Sequence, residues 1–224
     1  MKRKFNTRRI VLFIRLHYYK LFKRGRTFAF NGSVYPYFYH KYNTAWQTER
    51  TVEVPIAWKM VQEYADKHVL EVGNVLSHYF EISHDVIDKY EKASAVQNID
   101  VVDFHPAKSF DLIVSISTLE HVGWDEEPKE PLKVLRAISR LTDCLKPGGL
   151  MLVTLPLGQN PSLDGMLDQG KIPFSRAYYM KRISKGNDWI QTNWTDIRGS
   201  KNNHPFRAAN GLVIGIIEKS SLGS

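Results

Sequence analysis

The sequence predicts an α/β protein with a doubly wound, parallel sheet and helices on both of its faces. From residue 68 onward, short apolar runs alternate with longer polar segments of helical periodicity, which is the pattern of parallel strands joined by crossovers. The run 150–155 is apolar throughout, as expected for a strand that is buried on both faces. A chain of 224 residues is long enough to form the core of one such domain.

Seven strands are predicted, and each is a short apolar run that ends in a polar or glycine-containing turn. They cover residues 68–72, 85–88, 99–103, 110–115, 150–155, 189–194 and 212–217. Two helices are predicted beside them, one over 50–66 and one over 128–145. We expect the second helix to end at Lys146-Pro147-Gly148-Gly149, because proline and glycine both stop a helix.

The excess of positive charge lies at the amino terminus. The formal net charge is +8, from 31 lysines and arginines against 23 acids. Ten of these bases and no acid precede residue 27: Lys2, Arg3, Lys4, Arg8, Arg9, Arg15, Lys20, Lys23, Arg24 and Arg26. The rest of the chain is close to neutral and lacks the basic surface that nucleic-acid binding requires, so nucleic acid is not an expected partner.

Residues 1–44 are therefore predicted to be a basic, aromatic-rich extension, and residues 45–224 the folded domain. Within residues 8–24, apolar and aromatic side chains recur at helical spacing between the bases: Ile10, Phe13, Ile14, His17 and Leu21. This pattern fits an amphipathic helix on an anionic membrane surface, and it equally fits a helix docked on the domain with its basic side in solvent. RNA binding by residues 1–26 is a third interpretation. Arg15 interrupts the apolar run, so a signal peptide is not expected.

The remaining composition narrows the class of protein further. No apolar run reaches the roughly 18–20 residues that span a bilayer, and we expect a cytoplasmic protein that is peripheral to a membrane if residues 1–26 bind one. The single Cys144 excludes an internal disulfide and a cysteine-rich zinc site. No histidine, aspartate and glutamate cluster has metal-ligand spacing, so no metal is predicted. No sequence feature indicates an oligomeric state.

Polar residues follow the predicted strands where a ligand of such a sheet binds, outside the carboxyl ends of the strands. Glu71 and Gly73 follow the first strand, Asp88 the second, Asp103 the third and Ser115 the fourth. A carboxylate only accepts hydrogen bonds, whereas ribose hydroxyls and the adenine amino group offer donors. Acids in this order therefore suit a ligand that carries a nucleoside.

Several motifs recur together in one known family. They are Val69-Leu70-Glu71-Val72-Gly73, Asp88, Asp103-Phe104, Ser109-Phe110-Asp111-Leu112-Ile113, Leu119-Glu120-His121-Val122 and Leu145-Lys146-Pro147-Gly148-Gly149. Over about residues 45–218 the chain resembles the class I, Rossmann-like, S-adenosylmethionine-dependent methyltransferases. The sequence from Glu49 to Gly158 also resembles that of methyltransferases encoded with surface-polysaccharide assembly enzymes.

The resemblance implies S-adenosylmethionine as the cofactor and gives each motif a role. Glu71, at the turn with Gly73 and Asn74, would hold the methionine moiety directly or through water. Asp88 would hold the ribose, Asp103 with Phe104 the adenine, and Ser115 would complete the cofactor site. Trp46, Glu49 and Arg50 would form a lid over it.

One motif departs from the family. The loop after the first strand is Gly73-Asn74-Val75-Leu76-Ser77, with a single glycine where the family has two or three. A dinucleotide needs more glycines, because the backbone must approach its pyrophosphate closely. S-adenosylmethionine has no phosphate, and one glycine suffices if Asn74 takes an unusual backbone conformation. The loop therefore disfavours a nicotinamide oxidoreductase, and it leaves a non-catalytic, methyltransferase-like assembly partner as the alternative function.

The acceptor is predicted to be a small molecule or a saccharide, methylated on a hydroxyl oxygen. Methyl transfer is an in-line displacement that a general base assists, and His121 is the predicted base. The Asp/Asn-Pro-Pro-aromatic motif of enzymes that methylate nucleic acid bases does not occur at 115–118. Four residues are predicted to contact the acceptor: Glu120, Asn160, Arg176 and Tyr178.

Overall fold

The computed structural model describes residues 7–221. Within that range it contains ten strands: β1 (Thr27–Phe30), β2 (Ser33–Pro36), β3 (Val69–Val72), β4 (Asp85–Ile87), β5 (Val96–Gln97), β6 (Phe110–Ile116), β7 (Leu145–Pro156), β8 (Arg176–Arg182), β9 (Trp189–Thr192) and β10 (Gly211–Glu218). The α-helices of the same range are α1 (Thr7–Phe22), α2 (Arg50–Glu63), α3 (Lys133–Cys144), α4 (Pro161–Asp168) and α5 (Trp194–Ile197). None of these helices is both long and apolar enough to cross a membrane.

Eight strands form one twisted sheet in the order β5-β4-β3-β6-β7-β10-β8-β9. The strands from β5 to β7 are parallel, and β10 is antiparallel to both of its neighbours. The chain runs outward from β3 to β5 and then returns to β6 on the other side of β3. Strand order therefore reverses between β3 and β6, which is where ligands of such sheets bind. The predicted α/β fold class is confirmed, with eight strands in place of seven.

Two differences from the predicted strands have a local cause. Residues 99–103 do not form a strand, because the Asp100 carboxylate accepts from the Val102 amide at 3.3 Å and caps a 3₁₀ turn, Val101–Asp103. β5 lies earlier, at 96–97, and pairs with β4. β8 was not predicted, because its sequence has no alternation of apolar and polar residues.

Helices cover both faces of the sheet, and alternate strand residues point to each face. Leu70 of β3 and Ile113 of β6 pack in the core cluster that contains the apolar face of α3. Their neighbours Val69 and Leu112 pack in a second cluster with α2. The crossover from β3 to β4 holds only a 3₁₀ turn, Leu76–His78, so no long helix follows the first strand of the sheet.

The predicted extension is in close contact with the domain. The β1–β2 hairpin places Phe28 and Phe30 in the same core cluster as α2. α1 packs through Leu16 and Tyr19 against Trp46, which is 1% exposed. The segment predicted to be helical is therefore a docked helix, although residues 1–6 lie outside the described residues. Trp46 is covered by α1 and does not form the lid that the resemblance implied.

Candidate functional site

A cavity of about 350 Å³ opens at the carboxyl ends of β3, β4 and β6. Its apolar wall consists of Val72, Ile87, Ile99, Val101 and Val122. Its polar lining consists of Asp88, Lys89, Tyr90, Asp100, Ser117, Thr118, His121, Asp125 and Glu126, and Gly73 also lines it. Four carboxylates line the cleft against Lys89, and Lys133 also pairs with two of them, so the cleft keeps a net negative charge. Its position, at the reversal of strand order, is the one predicted from the sequence.

Only glycine fits the turn after β3. Gly73 has a φ of +84°, and a Cβ there would lie 2.1 Å from Thr118 Oγ1. Left-handed backbone combined with so close a contact excludes any side chain. The left-handed residue is Gly73 and not Asn74, so the unusual conformation that the sequence required of Asn74 does not occur.

Side-chain carboxylates accept hydrogen bonds from the backbone amides of this turn. Asp88 Oδ2 accepts from the Asn74 amide at 3.1 Å. Glu71 Oε1 accepts from the amides of Val75 and Leu76 at 2.8 and 2.7 Å. In a phosphate-binding turn these N–H groups point at the ligand and carry the favourable field. Here they are already used, and the carboxylates would repel a phosphate.

Glu71 and Asn74 support the turn from behind and do not line the cleft. Glu71 is fully buried, and its second oxygen accepts from His84 Nε2 at 2.9 Å. The Asn74 amide group donates to Glu91 and accepts from Ser77. Neither side chain is in position to contact a ligand directly. The direct contact between Glu71 and a methionine moiety, which was one of the two possibilities that the resemblance implied, is therefore not formed.

Asp88 lies in the cleft wall with little unused acceptor capacity. Its Oδ1 accepts from the amides of Tyr90 and Glu91 at 2.8 and 2.7 Å, in addition to the bond from Asn74 to Oδ2. A carboxylate has about four acceptor sites, so three are occupied and one remains. Asp88 can therefore accept from one further donor, such as one hydroxyl of the ribose that the resemblance assigns to it.

The far end of the cleft contains Asp100 and Val101 in place of Asp103 and Phe104. Asp103 is exposed and Phe104 is buried against Phe110, so neither lines the cavity. The predicted cleft residues are three positions too late because β5 ends earlier than the predicted strand, so the turn after it also begins earlier in the sequence. Asp100 was missed because the third strand was predicted to run through it.

Asp100 belongs to an ion network that closes this end of the cleft. Lys133 Nζ lies 2.5 Å from Asp100 and 2.6 Å from Glu126, and Lys89 Nζ lies 2.8 and 2.9 Å from the same acids. Burial opposes ionisation, but hydrogen bonds from Lys133 and Lys89 lower the pKa of Asp100 below its usual value. Asp100 is therefore a carboxylate at neutral pH.

His121 lines the cleft with one nitrogen already oriented. Its Nδ1 lies 2.5 Å from Asp125 Oδ2, and its Nε2 lies 3.6 Å from Glu120 Oε1. A carboxylate on Nδ1 favours the tautomer that has the proton there and leaves Nε2 basic. The ring is half exposed and is accessible from the cleft.

A buried group of acids lies behind His121. Glu53 of α2 accepts from Ser117 Oγ at 2.5 Å, from Thr154 Oγ1 at 2.6 Å and from Arg50 Nη1 at 3.0 Å. Glu120 is 1% exposed, and within residues 7–221 neither of its oxygens has a hydrogen-bond partner. Burial raises the pKa of Glu120 well above its usual value, and burial also raises that of Glu53 despite Arg50. Glu53 was missed, although an acid between two valines of an apolar helix was a usable signal.

The other predicted site residues lie elsewhere. Ser115 is buried inside the sheet, and the cleft is lined by Ser117 and Thr118 instead. Asn160 is the N-cap of α4: its Oδ1 accepts from the Leu163 amide at 3.0 Å, and its Nδ2 donates to the Glu120 carbonyl. A buried cap of this kind is a structural role.

Arg176 and Tyr178 line a separate cavity on the α2 face of the sheet, which shares no lining residue with the cleft. The structure therefore separates Arg176 and Tyr178 from His121, whereas Glu120 lies beside it. Among residues 7–221, no group of three or more histidine, cysteine or acidic side chains is arranged to hold a metal ion.

Comparison with known proteins gives one family match. Residues 60–198 match a family described as Caenorhabditis protein of unknown function, DUF268. The chain belongs to this family. The DUF268 match extends from the end of α2 to α5 and includes every residue that lines the cleft. No curated protein matches the chain in sequence.

Several solved structures are similar in shape at low sequence identity. The N-methyltransferase NodS from Bradyrhizobium japonicum WM9, in complex with S-adenosyl-L-homocysteine, is 12% identical with a TM-score of 0.44, over 76% of this chain and 91% of NodS. The sugar N-methyltransferase KedS8 from Streptoalloteichus sp. is 12% identical with a TM-score of 0.39, over 88% and 98%. An S-adenosylmethionine-dependent methyltransferase from Clostridium acetobutylicum is 10% identical with a TM-score of 0.39, over 94% and 99%. The choice of ligand for this DUF268 chain rests on the cleft itself.

Proposed function

We propose that this protein is an S-adenosylmethionine-dependent methyltransferase that transfers a methyl group to a hydroxyl oxygen of a small or saccharide acceptor. The observation that carries the proposal is the turn after β3, whose amides are occupied by Asp88 and Glu71. These contacts disfavour a ligand with a phosphate at this turn, and the acids that line the cleft suit the hydroxyl and amino donors of a nucleoside. An acidic cleft further favours a cation, and the sulfonium of S-adenosylmethionine is one.

The residues of the cleft fit the parts of this cofactor. Asp88 has one acceptor site left for a ribose hydroxyl. Ile87, Ile99 and Val101 offer apolar surface for the adenine ring, and the ionised Asp100 lies beside it as an acceptor for the amino group. The nicotinamide dinucleotides fit poorly, because their pyrophosphate would meet the carboxylates of Asp88 and Glu71.

The transfer itself requires a base and alignment. S-adenosylmethionine, when bound, would supply an electrophilic methyl group, so that a carbon–oxygen bond would form as the carbon–sulfur bond breaks, with S-adenosylhomocysteine as the leaving product. In this chain, Nε2 of His121 takes the proton of the attacking hydroxyl while Asp125 holds the ring through Nδ1. We expect an acceptor related to surface polysaccharides, on the sequence resemblance.

A titration calorimetry experiment tests the cofactor and the non-catalytic alternative together. We expect the full chain to bind S-adenosylhomocysteine and not NAD⁺. The variant Asp88→Asn should weaken binding by about tenfold to a hundredfold, because an amide replaces a charged acceptor. Asp85→Asn, an exposed acid at the start of the same strand, is the matched control and should bind as the natural chain does. Absence of binding at millimolar ligand would support the non-catalytic assembly partner and overturn the proposal.

A further inference from the structure

A second cavity, of about 430 Å³, lies on the same edge of the sheet as the cleft. Gln159, which lines it, follows the end of β7. The segment 202–208 on its other side leads into β10, whose Leu212 pairs with Pro156 at that end of β7. Thr48, just before α2, completes the wall.

The lining of this polar cavity is amide- and hydroxyl-rich and basic. Lys41 and Arg207 are its charged residues, and no acid occurs among the described residues that line it. Two of its polar atoms, Thr48 Oγ1 and Asn202 Oδ1, are buried and have no hydrogen-bond partner within residues 7–221. Buried polar atoms are normally paired, so these two leave hydrogen-bonding capacity unused in the residues that line the cavity.

The rim of the polar cavity is held in strained backbone. Asn43, Thr44, Asn203 and Ala208 all line it with φ between 46° and 65°. Such conformations are uncommon for residues other than glycine and concentrate at ligand sites, where the surroundings hold them. Here Asn203 and Ala208 bond to each other twice at 2.9 Å.

A chain of buried contacts joins the polar cavity to the cleft. Ala209, next to the rim, donates its amide to Glu49 Oε2 at 3.1 Å. Glu53, one turn along α2, accepts from Ser117, which lines the cleft. Glu49 and Glu53 therefore connect the wall of the basic polar cavity to the wall of the acidic cleft.

We propose that the polar cavity binds the methyl acceptor, and that the acceptor is a saccharide with an anionic group, a carboxylate or a phosphate. The proposal rests on the proposed methyl transfer. Arg207 suits either anion, because its planar guanidinium donates to two oxygens at once, and Lys41 adds a second charge. The amides of Gln159 and Asn202 match sugar hydroxyls as donors and acceptors.

Titration of three ligands tests the proposal: glucuronate for a carboxylate, glucose 6-phosphate for a phosphate and glucose as the neutral reference. We expect one of the anions to bind at least about tenfold more tightly than glucose. Arg207→Gln should remove that preference, while Lys185→Gln, an exposed residue outside the cavity with the same loss of charge, should keep it.

Titration of the same proteins with S-adenosylhomocysteine separates the two proposals. Arg207→Gln should leave its affinity unchanged, because Arg207 does not line the cleft. Sugar binding without S-adenosylhomocysteine binding would sink the proposed function alone. Equal affinity for glucose and both anions, absence of binding at about 20 mM, or an Arg207→Gln variant that binds normally, would overturn the anionic-saccharide site.

The exposed face of α1 carries a second, independent inference. α1 contacts the domain through Leu12, Leu16 and Tyr19. Its opposite side presents large apolar side chains that are 44–73% exposed: Ile10, Val11, Phe13, Ile14, Tyr18, Leu21 and Phe22. Apolar surface of this extent on one helix marks an interaction site.

The charge of the segment indicates what covers this face. The first 26 residues contain ten bases and no acid, and Lys20 is exposed on the helix. A second copy of α1 on this face would bring like charges together, which disfavours a symmetric pair. We propose that α1 binds an anionic lipid surface, with its apolar face in the acyl boundary and its bases at the headgroups.

Sedimentation of the full chain with vesicles tests this inference. We expect binding to phosphatidylcholine vesicles that contain about 30% phosphatidylserine and little binding to phosphatidylcholine alone. The double variant Phe13→Ser with Leu21→Ser should weaken binding by about tenfold or more. Val34→Ser with Leu132→Ser replaces two residues of similar exposure elsewhere and should have no effect.

Two results would overturn the lipid proposal. One is equal sedimentation of the natural chain and the α1 variant. The other is a natural chain that is dimeric by size-exclusion chromatography, does not sediment with vesicles, and becomes monomeric in the α1 variant. The second result would assign the face to self-association.

Discussion

Asp88 and Glu71 each hold the backbone of the turn after β3 with a carboxylate, and the proposed preference for a ligand without phosphates rests on these contacts. The sequence located both acids at strand ends, since strand ends follow from the apolar pattern. It could not show which amides they accept from, because those contacts depend on the path of the turn. The same limit explains why Asn160 was predicted to contact the acceptor and is instead the cap of α4.

If His121 is the general base, as we propose, the rate of methyl transfer depends on it. His121→Asn should lower methyl transfer from labelled S-adenosylmethionine to a saccharide acceptor by about 10²- to 10⁴-fold, because the base is lost. Affinity for S-adenosylhomocysteine should stay unchanged. Asp125→Asn should lower the rate less, because the ring keeps its position but loses its fixed tautomer. A His121→Asn protein with the natural rate would show that His121 is not the base.

Asp164 should make the stability of the fold depend on pH. Burial raises the pKa of Asp164 from 3.8 to about 6, although the carboxylate accepts from the Gly158 amide. A raised acid pKa means that the folded state binds the proton more tightly than the unfolded state. The protonated Asp164 therefore contributes its full stabilisation of the fold below pH 3.8, and this contribution is lost as pH rises through about 6.

The check is the melting temperature of the natural chain and of Asp164→Asn between pH 4 and 7. The difference between the two should change across that window, while the difference between the natural chain and the control Asp85→Asn should not. Glu53 and Glu120 also have raised pKa values, but they are present in every protein compared. Arg198 and Asp168 share the small cavity of Asp164 and are likewise unchanged.

At the scale of elements, strands with strong apolar runs could be predicted and weakly patterned ones could not. β3, β6 and β7 are buried on both faces and stand out in the sequence. β8 contains Arg176, Tyr178 and Lys181 because it lies toward one side of the sheet, so its pattern resembles a loop. β5 has only two residues, and the acid-capped turn after it displaced the predicted adenine residues by three positions.

The ion network at Lys133 connects the start of α3 to Asp100, the cap of the 3₁₀ turn Val101–Asp103. Lys133→Met should destabilise the fold by about 3 kcal/mol, because it leaves two largely buried carboxylates with only Lys89. Chemical denaturation of this variant and of Lys108→Met, an exposed lysine, is the comparison. Equal stability of the two variants would mean that the network adds nothing.

Over the whole molecule, three features lie around the amino end of α2: the docked helix α1, the polar cavity and the cleft. α1 packs on Trp46, while Thr44 and Thr48, two residues to either side, line the polar cavity. Glu53 then links this region to the cleft through Ser117. A helix bound to a lipid surface would therefore hold the polar cavity near that surface. This arrangement depends on contacts between the amino-terminal segment and the domain. The sequence pattern could not predict those contacts, because it indicated a separate extension over residues 1–44.

The structure of the complex with S-adenosylhomocysteine is the measurement that decides whether the cleft is a cofactor site. We expect the nucleoside in the cleft, with one ribose hydroxyl on Asp88 and the adenine between Ile87, Ile99 and Val101 beside Asp100. The sulfur should lie on the side of His121. A cleft that stays empty at saturating ligand, or a ligand bound elsewhere, would show that the cleft is not the cofactor site.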